Sequence, residues 1–290
     1  MTQGNASIRQ LTAQDVSWIA PLANNEGWNQ IVEDWHTVLL HSPEYCFAAV
    51  HRGQVVGTVT AYRYSDALAW IGMMIVRDSH RGRGIGRELM QTVLQSLLKS
   101  GTETIKLDAT PMGLSLYRAL GFEREGIVCR FERVSLGPID RRSSPDARLQ
   151  GWRTKLAMFD KEQFGADRHS LLERLIETGR APPVATTRDG DGQGPLNGYG
   201  CTRSGVHADY CGPIVATDDI IAARILDALT ESSVGRRTFV DVLMRDSNRE
   251  RILRDRGFSR QRELVRMRYG RESGVALGPS IFASAGPELG

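Results

Sequence analysis

The chain has 290 residues, 41% of them hydrophobic and 24% charged, with a formal net charge of +3. That is enough length for two ordinary domains, and the composition is that of a globular chain with a buried core. The charge is too mild and too scattered for nucleic-acid binding, and the longest apolar run, Leu68 to Val76, is too short to cross a bilayer.

Ile8 to Asp15 reads as a first strand and turn, after an opening MTQGNASIRQLT that lacks the apolar run of a signal peptide. Cys46 to Val50 and Val55 to Thr60, joined by His51-Arg52-Gly53-Gln54, form a hairpin with a glycine turn. An apolar strand, Ile71 to Val76, runs through a charged loop into Arg81-Gly82-Arg83-Gly84-Ile85-Gly86 and then into a helix over Arg87 to Ser100. Leu89, Met90, Val93, Leu94, Leu97 and Leu98 share one face of that helix, and Gly101 stops it. Thr104 to Asp108 is the next strand. Thr110-Pro111 supplies a cap and a first-turn proline for a helix with Leu114, Tyr117 and Leu120 on its inner face, ended by Gly121.

Glycines at a strand-to-helix turn let several N–H groups converge at the positive end of the helix, where they bind anions, above all phosphates. A P-loop would need Gly-Lys-Ser/Thr where Gly86-Arg87-Glu88 stands. A dinucleotide fingerprint would need a third glycine at Arg87 and a first glycine directly after the strand, so Asp108 some twenty residues on does not rescue it. What remains is a diphosphate cradle flanked by arginines, or a turn that merely saves space.

Ser135 to Gln150, rich in Pro, Ser and charge, reads as a linker. Beyond it the first half returns in eroded form. Trp152 to Phe159 is a strand candidate, and Asp167 to Thr178 has helical spacing at Leu171, Leu172, Leu175 and Ile176. Pro183 to Thr187 and Leu196 to Cys201 repeat the hairpin across a Gly/Asp-rich turn. Ile220 to Leu229 is a helix capped by Thr217 or Asp218, and Thr238 to Leu243 is a strand. Ser247-Asn248-Arg249-Glu250 is a capping box, and Arg256-Gly257-Phe258 echoes Leu120-Gly121-Phe122. Where the first half has its cradle, the second has Gly212-Pro213-Ile214-Val215-Ala216-Thr217-Asp218-Asp219, with two carboxylates at the diphosphate position. Leu253 stands opposite Tyr117. The tail Gly274 to Gly290 is small and apolar, either disordered or a final docked strand.

The Arg-x-x-Gly-x-Gly spacing at this junction resembles the acyl-CoA motif of the GNAT acetyltransferase superfamily, and Leu116 to Phe122, LYRALGF, resembles its LY-x-x-x-GF signature. The resemblance spans residues 8 to 134. The second half resembles the YitH-type C-terminal acetyltransferase domain, through GYGCTRSG, GPIVATDD, Asp241 and the RGF run. The resemblances imply an α/β protein of tandem GNAT folds, each a mixed central sheet flanked by helices, with the second copy degenerate. The divisions read as 1–136 for the acetyl-CoA-binding catalytic domain, 137–150 for the linker and 151–290 for a domain that covers the substrate.

In the GNAT scheme the pantetheine arm pairs with the central strand, which implies backbone contacts from Met74 and Val76 with Ile75 between them. Arg81, Gly82, Arg83, Gly84, Ile85 and Gly86, with Arg87, would hold the diphosphate. Tyr117 matches the tyrosine that protonates the departing thiolate, and that role is favoured over the alternative of a core tyrosine on a helix face. An amine acceptor must lose a proton before attack, and Asp108 is the best-placed carboxylate, set against a plain turn residue or a water chain. Asn24 to Trp35 should hold the acceptor, with Trp28 and Trp35 walling a pocket and Glu26, Glu33 and Asp34 drawing a cation. From the covering domain, Tyr199, His207, Asp209, Tyr210 and above all Asp241 are the polar or aromatic candidates.

Cys46, Cys129, Cys201 and Cys211 form no CxxC pair and the six histidines no HxxxH or HExxH pattern, so free thiols in a reducing cytoplasm and no metal are expected. The function expected is acetyl transfer from acetyl-CoA to the primary amine of a small molecule, by direct attack in a ternary complex. Rival readings are a protein lysine or N-terminal acetyltransferase and an acetyl-CoA sensor without turnover. The oligomeric state is open.

Overall fold

The computed structural model describes residues 6–134, 152–189, 194–231, 233, 235–272 and 278–290. The linker expected over Ser135 to Gln150 lies outside them. The first half runs β1 (Ser7–Gln10), α1 (Val16–Asn25), α2 (Val32–His41), β2 (Phe47–His51), β3 (Gln54–Arg63), β4 (Ala69–Val76), α3 (Ile85–Lys99), β5 (Thr104–Ala109), α4 (Leu114–Ala119) and β6 (Glu123–Val134). The second runs α5 (Trp152–Phe164), α6 (His169–Glu177), β7 (Val184–Thr187), β8 (Leu196–Arg203), β9 (Asp209–Ala216), α7 (Asp219–Glu231), β10 (Arg237–Met244), α8 (Ser247–Arg254), β11 (Ser259–Gly270) and β12 (Ile281–Ala283).

β3, β4, β8 and β9 are buried along almost their whole length. Such runs need cover on both faces, and the helices supply it. One apolar layer gathers α1, α2, α5 and α6, from both halves, around Trp35, Trp70 and Tyr199. On the other face α3 presses Leu89, Met90, Val93, Leu94 and Leu97 onto the first half, while α7 and α8 cover the second. Leu98, expected on the same stripe, is exposed.

The strands of the described residues form one mixed sheet in the order β1-β2-β3-β4-β5-β11-β6-β10-β12-β9-β8-β7. The halves exchange strands: β11 lies against β5, with Val265 opposite Ala109, and β6 lies against β10, with Arg130 opposite Asp241. The division along the chain is therefore not a division in the sheet.

Three local expectations need correction. Trp152 to Phe159 is not a strand but the start of α5, because Leu156, Phe159, Asp160 and Phe164 are buried at helical spacing. α8 is capped not by Ser247 but by Asp246, whose carboxylate accepts from Asn248 N at 2.9 Å. α4 begins at Leu114, and Thr110 to Gly113 is a turn closed by Gly113 N donating to Thr110 O at 3.0 Å. The tail does dock, as β12 between β9 and β10.

Candidate active site

β4 and β5 run parallel and pair at Ala69 with Ile105 and at Trp70 with Lys106; beyond these positions they part. Just there β4 carries Met73 at φ 46, and its register with β3 skips between Thr58 opposite Ile75 and Thr60 opposite Gly72. A bulge of this kind re-aims the strand at the point of divergence. Met74, Ile75 and Val76 line the resulting cavity of about 640 Å³.

At one end is the glycine turn. Gly82 and Gly84 have φ 73 and 82, left-handed values that favour glycine, and no atom lies within 4 Å of where their Cβ atoms would stand. Gly86 is there for space: its Cβ would meet Met74 Cε at 2.7 Å. No side chain caps α3, so its first amides remain for a ligand. Arg81 is braced, donating from Nε to Val76 O at 2.9 Å and from the guanidinium to Glu26 at 2.6 Å and to Asp78. Arg81, Gly82, Gly84, Ile85 and Gly86 line the cavity; Arg83, which donates to Ser79 O at 2.8 Å, and Arg87 are exposed outside it.

Tyr117 also lines the cavity, held on α4 with its ring edge-on to Phe122. Burial pushes its phenol up to about 12, so it keeps its proton at neutral pH. Asp108 is in the wall too, but Arg266 grips it at two points, both 2.9 Å. Both carboxylate oxygens are spent on a guanidinium that also lies over Trp70, so the expected base is instead an anchor of β11 on β5.

The acceptor side holds what was expected in part. Trp28 and Glu26 line the cavity. Trp35 does not: it faces inward from α2 with Val38, both fully buried in the core. Asp241 does not either, because Arg130 closes it at 2.7 and 2.6 Å and Tyr210 donates to it at 3.1 Å, all within the sheet. Tyr199 is likewise occupied, by Asp160. Asp34 is turned away from the cavity to Arg203 of β8; burial, with the charge of Glu288 nearby, pushes its carboxyl up to about 6 against the pull of that arginine.

Gln30, within the segment expected to hold the acceptor, lines the cavity, as do Arg262, Leu264, Pro287 and Glu288, which sequence reasoning missed. Glu288 accepts from Gln30 Nε2 and from Arg203 Nη2, each at 2.6 Å, and Trp70 Nε1 donates to Pro287 O at 3.0 Å. The signal was a glycine in a buried strand: a Cβ on Gly72 would stand 2.5 Å from Glu288 Cα. Among the described residues no group of His, Cys, Asp and Glu could hold a metal ion, and no helix is long and apolar enough to cross a membrane.

A splayed parallel pair beside an uncapped glycine turn, with a protonated phenol in the same cavity, defines an acyltransferase. Residues 10–122 match the family model described as Acetyltransferase (GNAT) family, and 156–277 match one described as Acetyltransferase (GNAT) domain. The chain belongs to the GNAT acetyltransferases, with two such domains in tandem. It is 25% identical to the uncharacterized N-acetyltransferase YitH of Bacillus subtilis, over 97% of each chain. Over 88 residues, 28% of this chain and 46% of the relative, it is 35% identical to the N-alpha-acetyltransferase MAK3 of Arabidopsis thaliana. In fold it matches a Pyrococcus horikoshii acetyltransferase structure with a TM-score of 0.78, at 22% identity over 100% of this chain and 98% of that one. It also matches a tandem GNAT protein from the clavulanic acid biosynthesis pathway with a TM-score of 0.66, at 16% identity over 92% and 100%.

Proposed function

We propose that this acetyltransferase takes its acyl group from acetyl-CoA and delivers it to the primary amine of a small molecule. The observation that carries the reading is the continuity of the cavity: one space of about 640 Å³ joins the glycine turn to Tyr117 and to a far wall built by β11 and the tail. The residues present fit the cofactor. The open space over Gly82 and Gly84 lets a diphosphate approach the main chain, and the uncapped first turn of α3 and Arg81 offer donors and charge. Met74 and Val76 present main-chain groups where β4 leaves β5, as an extended pantetheine arm requires.

Acetyl-CoA supplies a thioester, an acyl group already activated toward amines. Tyr117 holds a proton on Oη at neutral pH and donates it as the thiolate departs. An amine near neutral pH is an ammonium ion and sheds a proton before it attacks. Asp108 positions the wall through Arg266 and does not take that proton; it leaves to solvent in the cavity mouth.

The far wall supports a small acceptor over a polypeptide, because Pro287 and Glu288 of the tail stand in it beside Gln30 and Arg262. Free-thiol release measured with a panel of small amines and a panel of peptides tests this. Turnover with amines alone is the expected result. Turnover with peptides alone would move the protein to polypeptide acceptors, the reading that its likeness to MAK3 favours.

A further inference from the structure

Among the described residues, five of the buried arginines are closed by carboxylates, whereas Arg133, buried under Phe258, donates to Arg256 O instead. Arg130 is closed by Asp241, Arg168 by Asp160, Arg249 by Asp219 and Arg266 by Asp108, while Arg203 takes two, Asp34 and Glu288. Arg262, half-buried, also lacks a carboxylate partner among the described residues, and unlike Arg133 it faces the cavity. It stands on β11, its register partner on β6 is Arg130, and it lines the cavity. Among the described residues no hydrogen bond or ion pair holds its guanidinium, and its Nε is buried without a partner. A half-buried guanidinium that lines a cavity with no counter-charge of its own is a candidate ligand anchor.

The charges facing Arg262 are already engaged. Asp241 on β10 is taken by Arg130, Tyr210 on β9 donates to Asp241, and Glu288 in the tail accepts from Arg203 and Gln30. Burial and the neighbouring Arg130 push Arg262 down to about 10, which still leaves it a cation near neutral pH. Behind Glu288, which lines the same cavity, the balance is reversed, since one buried guanidinium, Arg203, serves both Glu288 and Asp34. The far end of the cavity therefore carries a surplus positive charge at Arg262 and a surplus negative charge at Glu288.

We propose that the acceptor is an amine that also bears a carboxylate, of amino-acid type, with the carboxylate in the fork of Arg262 and the ammonium group toward Glu288. This rests on the small-amine reading above and names its substrate class. A guanidinium fork matches a carboxylate at two points, and an acceptor of this kind satisfies both surplus charges at once.

The test compares α-amino acids with the amines left when their carboxyl group is removed, by free-thiol release at saturating acetyl-CoA. The native protein is expected to prefer the carboxylated member of each pair. Arg262→Gln should lower kcat/KM for the carboxylated member by roughly tenfold to a hundredfold, with little change for its partner or for the KM of acetyl-CoA. Arg262→Lys, which keeps the charge without the fork, should fall between. Equal use of both members by the native protein, or an equal loss for both in Arg262→Gln, overturns the role of Arg262 while the small-amine reading stands. Thiol release with peptides and with neither member overturns both.

Discussion

The two halves make the same opening and put different things in it. β4 and β5 pair at two positions and part; β9 and β10 pair at two positions, Thr238 with Asp209 and Phe239 with Tyr210, and part likewise. In the first half the opening is a cavity. In the second, β12 lies inside it, with Ala283 opposite Val242 of β10 and Ile281 opposite Val215 of β9. The helix that follows differs in the same sense. α3 starts at Gly84 with no side-chain cap, whereas α7 is capped by Asp218, which accepts from Ile220 N at 2.9 Å and Ile221 N at 2.8 Å. Asp219 beside it pairs with Arg249, which also donates to Ile281 O and Pro279 O and so ties the inserted segment in place. A cofactor cleft is a set of main-chain groups left unpaired, and a chain can silence one by pairing those groups with itself. The same tail then crosses to the first half, where Pro287 and Glu288 stand in the cavity wall.

The contrast makes its largest demand on Tyr117, whose counterpart in the second half is Leu253 in the core. Tyr117→Phe should lower kcat roughly a hundredfold or more with the Kd of acetyl-CoA unchanged, as read by steady-state kinetics and calorimetry. Next is the filled opening. Ile281→Ala, at a fully buried position, should cost roughly 2–5 kcal/mol in denaturant unfolding, a loss of packing that creates no second cofactor site.

Smaller effects separate the two helix starts. Gly84→Ala strains a left-handed backbone by about 1–2 kcal/mol and should weaken acetyl-CoA about tenfold. Asp218→Ala should cost about 1 kcal/mol of stability and leave acetyl-CoA binding alone. Calorimetry should count one acetyl-CoA per chain in the native protein and in Asp218→Ala; two per chain in either would erase the distinction between the halves. The smallest effect is at the seam, where Asp34 of α2 meets Arg203 of β8. A carboxyl raised from 3.8 to about 6 on folding binds more protons folded than unfolded, so its contribution to stability is greatest in acid and declines as pH rises through that interval. Thermal melting of Asp34→Asn beside the native protein should show the decline in the native protein alone.

Much of the glycine-turn end of the cavity was legible in the sequence. The spacing from Arg81 to Gly86 and the run around Tyr117 are local patterns, and local patterns survive folding. The acceptor end was not. Trp35 and Trp28 look alike along the chain, but Trp35 turns into the core from α2 while Trp28, in the connection between α1 and α2, stands on the cavity. Asp241 and Asp108 read as available carboxylates until Arg130 and Arg266, distant in sequence, take them. Trp152 to Phe159, eight residues of mixed polarity, is too short to separate strand from helix; the buried Asp160 and Phe164 beyond it complete the helical spacing.

From the sequence alone came two GNAT-like halves, one with a usable phosphate turn and one without, because glycines, caps and helix faces are written within a few residues of one another. Tertiary structure alone decided what each opening holds. The exchange of β6 and β11, the insertion of β12, and the meeting of Arg262 with Glu288 across one cavity join residues tens to hundreds of positions apart. Contacts at that separation are set by which strand edges and charges remain unsatisfied once the local elements have formed, and no local pattern records them.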